Sequence, residues 1–130
     1  MNKYWSFYIF NIHEFRAWKK GLPEDDKAKI DLFISRLEMI QTWPPKLVRH
    51  VSGYRKIYEL RIFGNKVVYR PLGCYGPKRN QFTILFPMAI EKGNKFEPHN
   101  APKRAQERRV FAKKMEVLNE YEYDETEESD

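Results

Sequence analysis

The sequence predicts an α+β fold: an N-terminal strand, a helical hairpin, a three-stranded antiparallel meander and a C-terminal helix. Three observations carry this. The run KYWSFYIF at 3–10 alternates loosely and is rich in aromatics, as a strand is. Ile30, Phe33, Ile34 and Leu37 recur at i, i+3, i+4 and i+7, one apolar helical stripe. Between 57 and 90, strand-length apolar runs alternate with Gly, Pro and Asn turns.

Each element has a local reason. Asn11 followed by Glu14 has the spacing of a capping box and predicts a short helix through Phe15 and Trp18 that stops near Gly21. Pro23 fits the first turn of a second helix, and Glu24, Asp25 and Asp26 suit its positive end. Trp43-Pro44-Pro45 ends that helix, so 11–42 reads as a helical hairpin. IYELRIF at 57–63 places Tyr58, Leu60 and Ile62 on one face, Glu59 and Arg61 on the other. Gly64-Asn65 turns the chain into KVVYR at 66–70, which Pro71 ends, and Gly73 to Asn80 reads as a loop. QFTILFPMAI at 81–90 is almost continuously apolar, as a central strand is, with Pro87 marking a bulge or the end of pairing. Asn100 and Pro102 open a last helix with Ala105, Ala112, Met115 and Leu118 inward. The connections between the later strands are too short for a crossover helix, which makes the meander antiparallel.

A chain of 130 residues suits one domain, taken as 1–119, followed by an acidic tail at 120–130 expected to be disordered. No apolar run reaches membrane-span length, and the N-terminus has no small-residue cleavage site, so neither a membrane partner nor a signal peptide is expected. The single cysteine, Cys74, has no internal disulfide partner, which favours a reducing cytoplasm, and it reads as inert packing. The net charge of +6 is unevenly spread: 46–114 hold seventeen Lys/Arg against four Asp/Glu, while 115–130 hold eight Asp/Glu and no Lys or Arg. A basic centre of that strength points to a polyanion.

Motifs for phosphate loops, serine nucleophiles and zinc are missing, and His13, His50 and His99 are scattered, so no cofactor or metal is expected. What remains is positive charge interleaved with aromatics. Tyr58, Trp5 and Trp18 read as core. Tyr75, Lys78 and Arg79 read as substrate-binding, with Tyr75 a candidate for stacking a base, although turn packing explains it equally well. The same residue types cleave RNA without metal: an Arg or Lys stabilises the phosphorane, and a group of shifted pKa moves the proton of the 2′-hydroxyl. Charge pattern alone does not separate binding from cleavage.

YELR at 58–61, YRPLG at 69–73, IEKGNKF at 90–96 and AQERR at 105–109 resemble the RelE/ParE superfamily of bacterial toxins, most closely its HigB-like, phage-related branch. The resemblance spans most of 4–118 and implies a RelE-like fold. It implies a type II toxin that cuts mRNA on the ribosome without metal, neutralised by a cognate antitoxin, often a helix-turn-helix protein. The catalytic residues it implies are Arg61, Arg70 and Lys92, with Lys95 at a substrate-binding position. Glu91 stands where many relatives have a second lysine, and Phe86-Pro87-Met88 where many have a polar residue or histidine. Two alternatives stay open: a non-catalytic ParE-like toxin that poisons DNA gyrase, and a phage-derived nucleic-acid-binding module without toxicity. Arg61 has an ordinary alternative too, a pair with Glu59 on its own face. Desolvating both charges costs more than a surface pair returns, which favours a functional arginine. Arg70, between Tyr69 and Pro71 at a strand end, is expected at a cleft rim.

Overall fold

The apolar stripe and the caps form the elements they predict. In the computed structural model, which describes residues 2–124, helix α1 spans Ile12–Lys20 and α2 spans Glu24–Glu38. The Asn11 side chain accepts the Glu14 backbone N–H at 3.1 Å, one half of the capping box. The Glu14 carboxylate instead takes both η nitrogens of Arg108, at 2.6 and 2.8 Å. Pro23 is the N-cap of α2 rather than a first-turn residue.

The architecture is mixed α and β, with two sheets rather than one meander. The strands are β1 (Ser6–Ile9), β2 (Val48–His50), β3 (Tyr58–Leu60), β4 (Ile62–Phe63), β5 (Val68–Tyr69), β6 (Leu72–Tyr75), β7 (Gln81–Phe86), β8 (Ile90–Lys92), β9 (Lys95–Glu97) and β10 (Asn119–Glu120). One sheet runs β10-β1-β7-β6-β3-β2 and the other β4-β5-β8-β9. Neighbours β3, β6 and β7 are antiparallel, as a meander is, but β1 joins β7 in parallel, with Phe7 opposite Phe82 and Ile9 opposite Ile84.

The differences from the sequence reading have local causes. The run 57–63 breaks at Arg61, whose N–H leaves the ladder to donate to the Leu47 carbonyl at 3.0 Å. Pro71 ends β5, yet the chain re-enters the first sheet at once as β6, so Leu72–Tyr75 is strand and only 76–80 turns. Gly73 permits this. A Cβ there would lie 2.3 Å from the Thr83 carbonyl oxygen and 2.4 Å from the Phe82 ring. Pro87 ends β7, and the chain turns into the β8–β9 hairpin around Gly93.

Helix α3 spans Ala101–Phe111, with Pro102 in its first turn and no side-chain cap from Asn100. Ala105 faces inward; Ala112 and Leu118 are also buried, but beyond the helix end. The first sheet thus has two cores. Ile12, Phe15, Ile30, Ile34 and Leu37 of the helical hairpin cover Phe7, Ile9, Phe82 and Ile84 on one face. Ala101 and Ala105 of α3 cover Leu72, Cys74, Leu85 and Phe86 on the other. Cys74 is buried in this second core, where burial pushes its thiol up to about 11, against a small opposing effect of Arg109.

The start of the acidic tail belongs to the fold. Asn119–Glu120 pairs with β1, Tyr121 is buried, and its hydroxyl donates to Asp31 at 2.7 Å. The Tyr123 hydroxyl donates to Glu38 at 2.7 Å, and buried Lys19 pairs with both Asp31 and Asp124. Residues 120–124 pack onto the domain: Tyr121 buries against α1 and α2, Tyr123 stays 40% exposed while bonding Glu38, and the carboxylates of Glu122 and Asp124 meet Arg16 and Lys19; the rest of the expected disordered tail, 125–130, lies outside the described residues. No helix among the described residues is long and apolar enough to cross a membrane.

Candidate nucleic-acid interface

On the α3 side of the first sheet three arginines gather around one carboxylate. Glu59, 2% exposed, sits in β3 opposite Arg49 of β2. Arg70 follows β5 and reaches Glu59 with two parallel bonds, Nε to Oε1 at 2.7 Å and Nη2 to Oε2 at 2.8 Å. Its guanidinium also stacks 3.6 Å from the centre of the Phe96 ring, and the residue is only 6% exposed. Arg61 Nη1 lies 3.5 Å from Glu59 Oε1, and its Nη2 lies 3.2 Å from Glu91 Oε1. Arg49 Nε approaches Glu59 Oε2 at 3.4 Å with half its side chain exposed. Burial pushes the Glu59 carboxyl up, but the hydrogen bonds and charge of Arg70, with Arg49 behind them, outweigh it and hold its pKa below the usual carboxylate range. Glu59 therefore stays ionised and holds the arginines in place.

The site residues read from the sequence separate into four groups. Arg61 joins the cluster with a partly exposed side chain. Arg70 joins it too, but buried behind Glu59 rather than at a cleft rim. The expected rim position is corrected by its pairing: the partner lies eleven residues back on a neighbouring strand, and a bidentate pair plus ring stacking offsets the cost of burial. The pair of Glu59 with Arg61 is present but is the longer of the two. Lys92 and Lys95 flank the turn of the β8–β9 hairpin, exposed, with Lys92 3.3 Å from Glu97. Lys78 and Arg79 lie exposed in the β6–β7 turn.

Tyr75 belongs to a different assembly, on the helical-hairpin face. Its ring lies 4.8 Å from Tyr58, 5.4 Å from Phe82, 5.5 Å from Trp5 and 5.8 Å from Trp43, centre to centre. His50 extends the row from Tyr58 at 5.3 Å. Trp43 had no assigned role in the sequence beyond ending a helix, and Arg49 carried no signal but its charge. A carboxylate flanked by strand arginines marks the cluster, but the flanking becomes visible only once the register of β2 and β3 is known.

Among the described residues no three His, Cys, Asp or Glu side chains gather closely enough to hold a metal ion. No protein-family model, curated protein or solved structure matches this chain.

Proposed function

We propose that this chain is the toxin of a type II toxin–antitoxin pair and that it cuts messenger RNA on the ribosome. The observation that carries the reading is the arginine cluster. Arg49, Arg61 and Arg70 converge on Glu59, and with Glu91 counted the group keeps one positive charge in excess on a strand-built surface. The motif resemblance supports the same reading. Cleavage begins when a 2′-hydroxyl passes its proton to water and its oxygen bonds to the adjacent phosphorus. The phosphorane gains negative charge, and the phosphorus–5′-oxygen bond then breaks, leaving a 2′,3′-cyclic phosphate while the 5′-oxygen takes a proton from water. Arg61 is the guanidinium placed to meet that charge, by exchanging Glu91 for a phosphate oxygen. Arg70 acts through Glu59 and is a positioning residue. Glu59 is a poor base, since Arg70 occupies both its oxygens.

The locked Arg70 favours a second reading, a nucleic-acid-binding module that does not cut. The test is induced expression in a bacterium, with growth followed and mRNA 5′ ends mapped. The expected result is growth arrest with new cuts inside translated messages, both lost in Arg61→Ala. Arrest without cuts moves the target away from mRNA, and neither arrest nor cuts leaves the binding module.

A further inference from the structure

The helical-hairpin face of the sheet carries a second feature that the cleavage reading does not use. Trp5, Trp43, Tyr75, Tyr58 and His50 form a continuous row of rings with neighbouring centres 4.4 to 5.8 Å apart. A row of this kind inside a core would be covered. Here the central ring, Tyr75, remains 42% exposed, His50 is exposed, and Trp5, Trp43 and Tyr58 are only partly buried.

The row is held rigidly from below. The Trp5 indole N–H donates to the Gln41 carbonyl at 3.0 Å and the Trp43 indole N–H to the Leu37 carbonyl at 2.8 Å. Phe82 stands at 90° to Tyr75 and occupies the space left by the missing side chain of Gly73. The rings are thus fixed before anything binds, which lowers the ordering cost of binding.

The surroundings name the occupant. Exposed Lys78 and Arg79 follow Tyr75 in the β6–β7 turn, and the Asn80 carbonyl at the end of that turn accepts the Ser6 N–H, which brings the turn beside Trp5. Lys46, also exposed, lies three residues beyond Trp43. Partly exposed rings, Trp43 and Tyr75 stacked at 27° with Tyr58 edge-on to Tyr75 at 74°, on a face whose adjoining turn carries exposed cations match a chain that alternates flat bases with phosphates, whereas an apolar protein surface would leave those cations to be desolvated. We propose that this row is a stacking platform for the unpaired bases of a single-stranded nucleic acid, with Lys78 and Arg79 on its phosphates. Edge strand β2 carries Arg49 on the opposite face and His50 on this one, so one strand can pass round a single edge from the platform to the arginine cluster. The platform stands whether or not the chain cleaves RNA.

The test is a titration of the full chain with oligo(U), oligo(dT) and an RNA duplex of equal length, read by quenching of tryptophan fluorescence at two salt concentrations. Saturable quenching by the single strands, at least about tenfold tighter than by the duplex, is expected, and the two oligomers show whether the sugar matters. Tyr75→Ala should weaken binding about tenfold or more. Tyr75→Leu, which keeps the apolar packing, should weaken it comparably; full affinity in that variant would overturn the proposal. Lys78→Gln with Arg79→Gln should flatten the salt slope by roughly two. No quenching by any oligomer would also overturn it, as would a homodimer in sedimentation that Tyr75→Leu dissociates, since the row would then be an interface between copies. A wild-type chain that binds single strands but neither arrests growth nor cuts mRNA would sink the cleavage reading and leave the platform intact.

Discussion

Arg70→Met tests whether the Glu59 cluster is a buried clamp. The substitution keeps most of the side-chain volume and its packing on Phe96 but removes two hydrogen bonds of 2.7 and 2.8 Å. Glu59 is left 2% exposed, with only the longer approaches of Arg49 at 3.4 Å and Arg61 at 3.5 Å. Breaking a buried pair costs about 3–5 kcal/mol, and the two remaining arginines place this case near the lower end, about 3 kcal/mol. Urea unfolding reads it. With a slope of about 1.5 kcal/mol/M the midpoint should fall by about 2 M. Adding Glu59→Leu removes the stranded charge and should recover most of the loss, because apolar replacement of a whole buried pair is often neutral. The pH dependence has a fixed sign. The folded-state pKa of Glu59 is depressed, so its stabilisation is complete above the unfolded carboxylate pKa and disappears as pH falls through the folded value. Wild type and Arg70→Met should therefore converge in strong acid. A midpoint shift worth less than about 1 kcal/mol at pH 7, or a double variant no better than the single, would refute the clamp.

Three further outcomes follow from the packing. Gly73→Ala should cost about 1–3 kcal/mol in the same assay, since the new methyl meets the Thr83 carbonyl and the Phe82 ring at under 2.5 Å. Tyr121→Ala should cost about 3 kcal/mol or more by opening the hydroxyl bond to Asp31 and the edge contact with Phe15. Glu91→Gln frees Arg61 from a carboxylate at 3.2 Å, so it should tighten binding of short RNA a few-fold and steepen its salt dependence, measured by fluorescence anisotropy.

The helices were legible because a stripe of four apolar residues and a cap are local signals. The α+β class followed from them and from the run at 81–86. The small strands were not legible: two- and three-residue segments such as Ile62–Phe63, Val68–Tyr69 and Asn119–Glu120 are too short to show alternation. Glu120 lies in acidic sequence whose composition argues for solvation, and only the tyrosine at 121, anchored on Asp31, reverses that. The approach of Arg61 to Glu59 was visible in the sequence only as the alternative to a functional arginine, since the two stand two residues apart. Arg70 was misplaced because its partner is distant in sequence. Tyr75 was singled out by its place in an expected loop, whereas it ends β6, and the row around it draws on four other segments of the chain and exists only in three dimensions.

The parallel pairing of β1 with β7 also sets an order of events during synthesis. Ser6 lies opposite Gln81, so β1 waits for its inner neighbour until some 75 more residues are translated. At about 5–20 residues per second that is roughly 4–15 s. Its other neighbour, β10, is made later still. Through that interval Phe7 and Ile9 have neither of the strand partners that flank them in the fold. The α1–α2 hairpin, made immediately afterwards and already carrying Phe15, Ile30 and Ile34, is the one large apolar surface on hand to shelter them. Mispairing of Phe7 and Ile9 is therefore the hazard of this order until β7, and then β10, emerge.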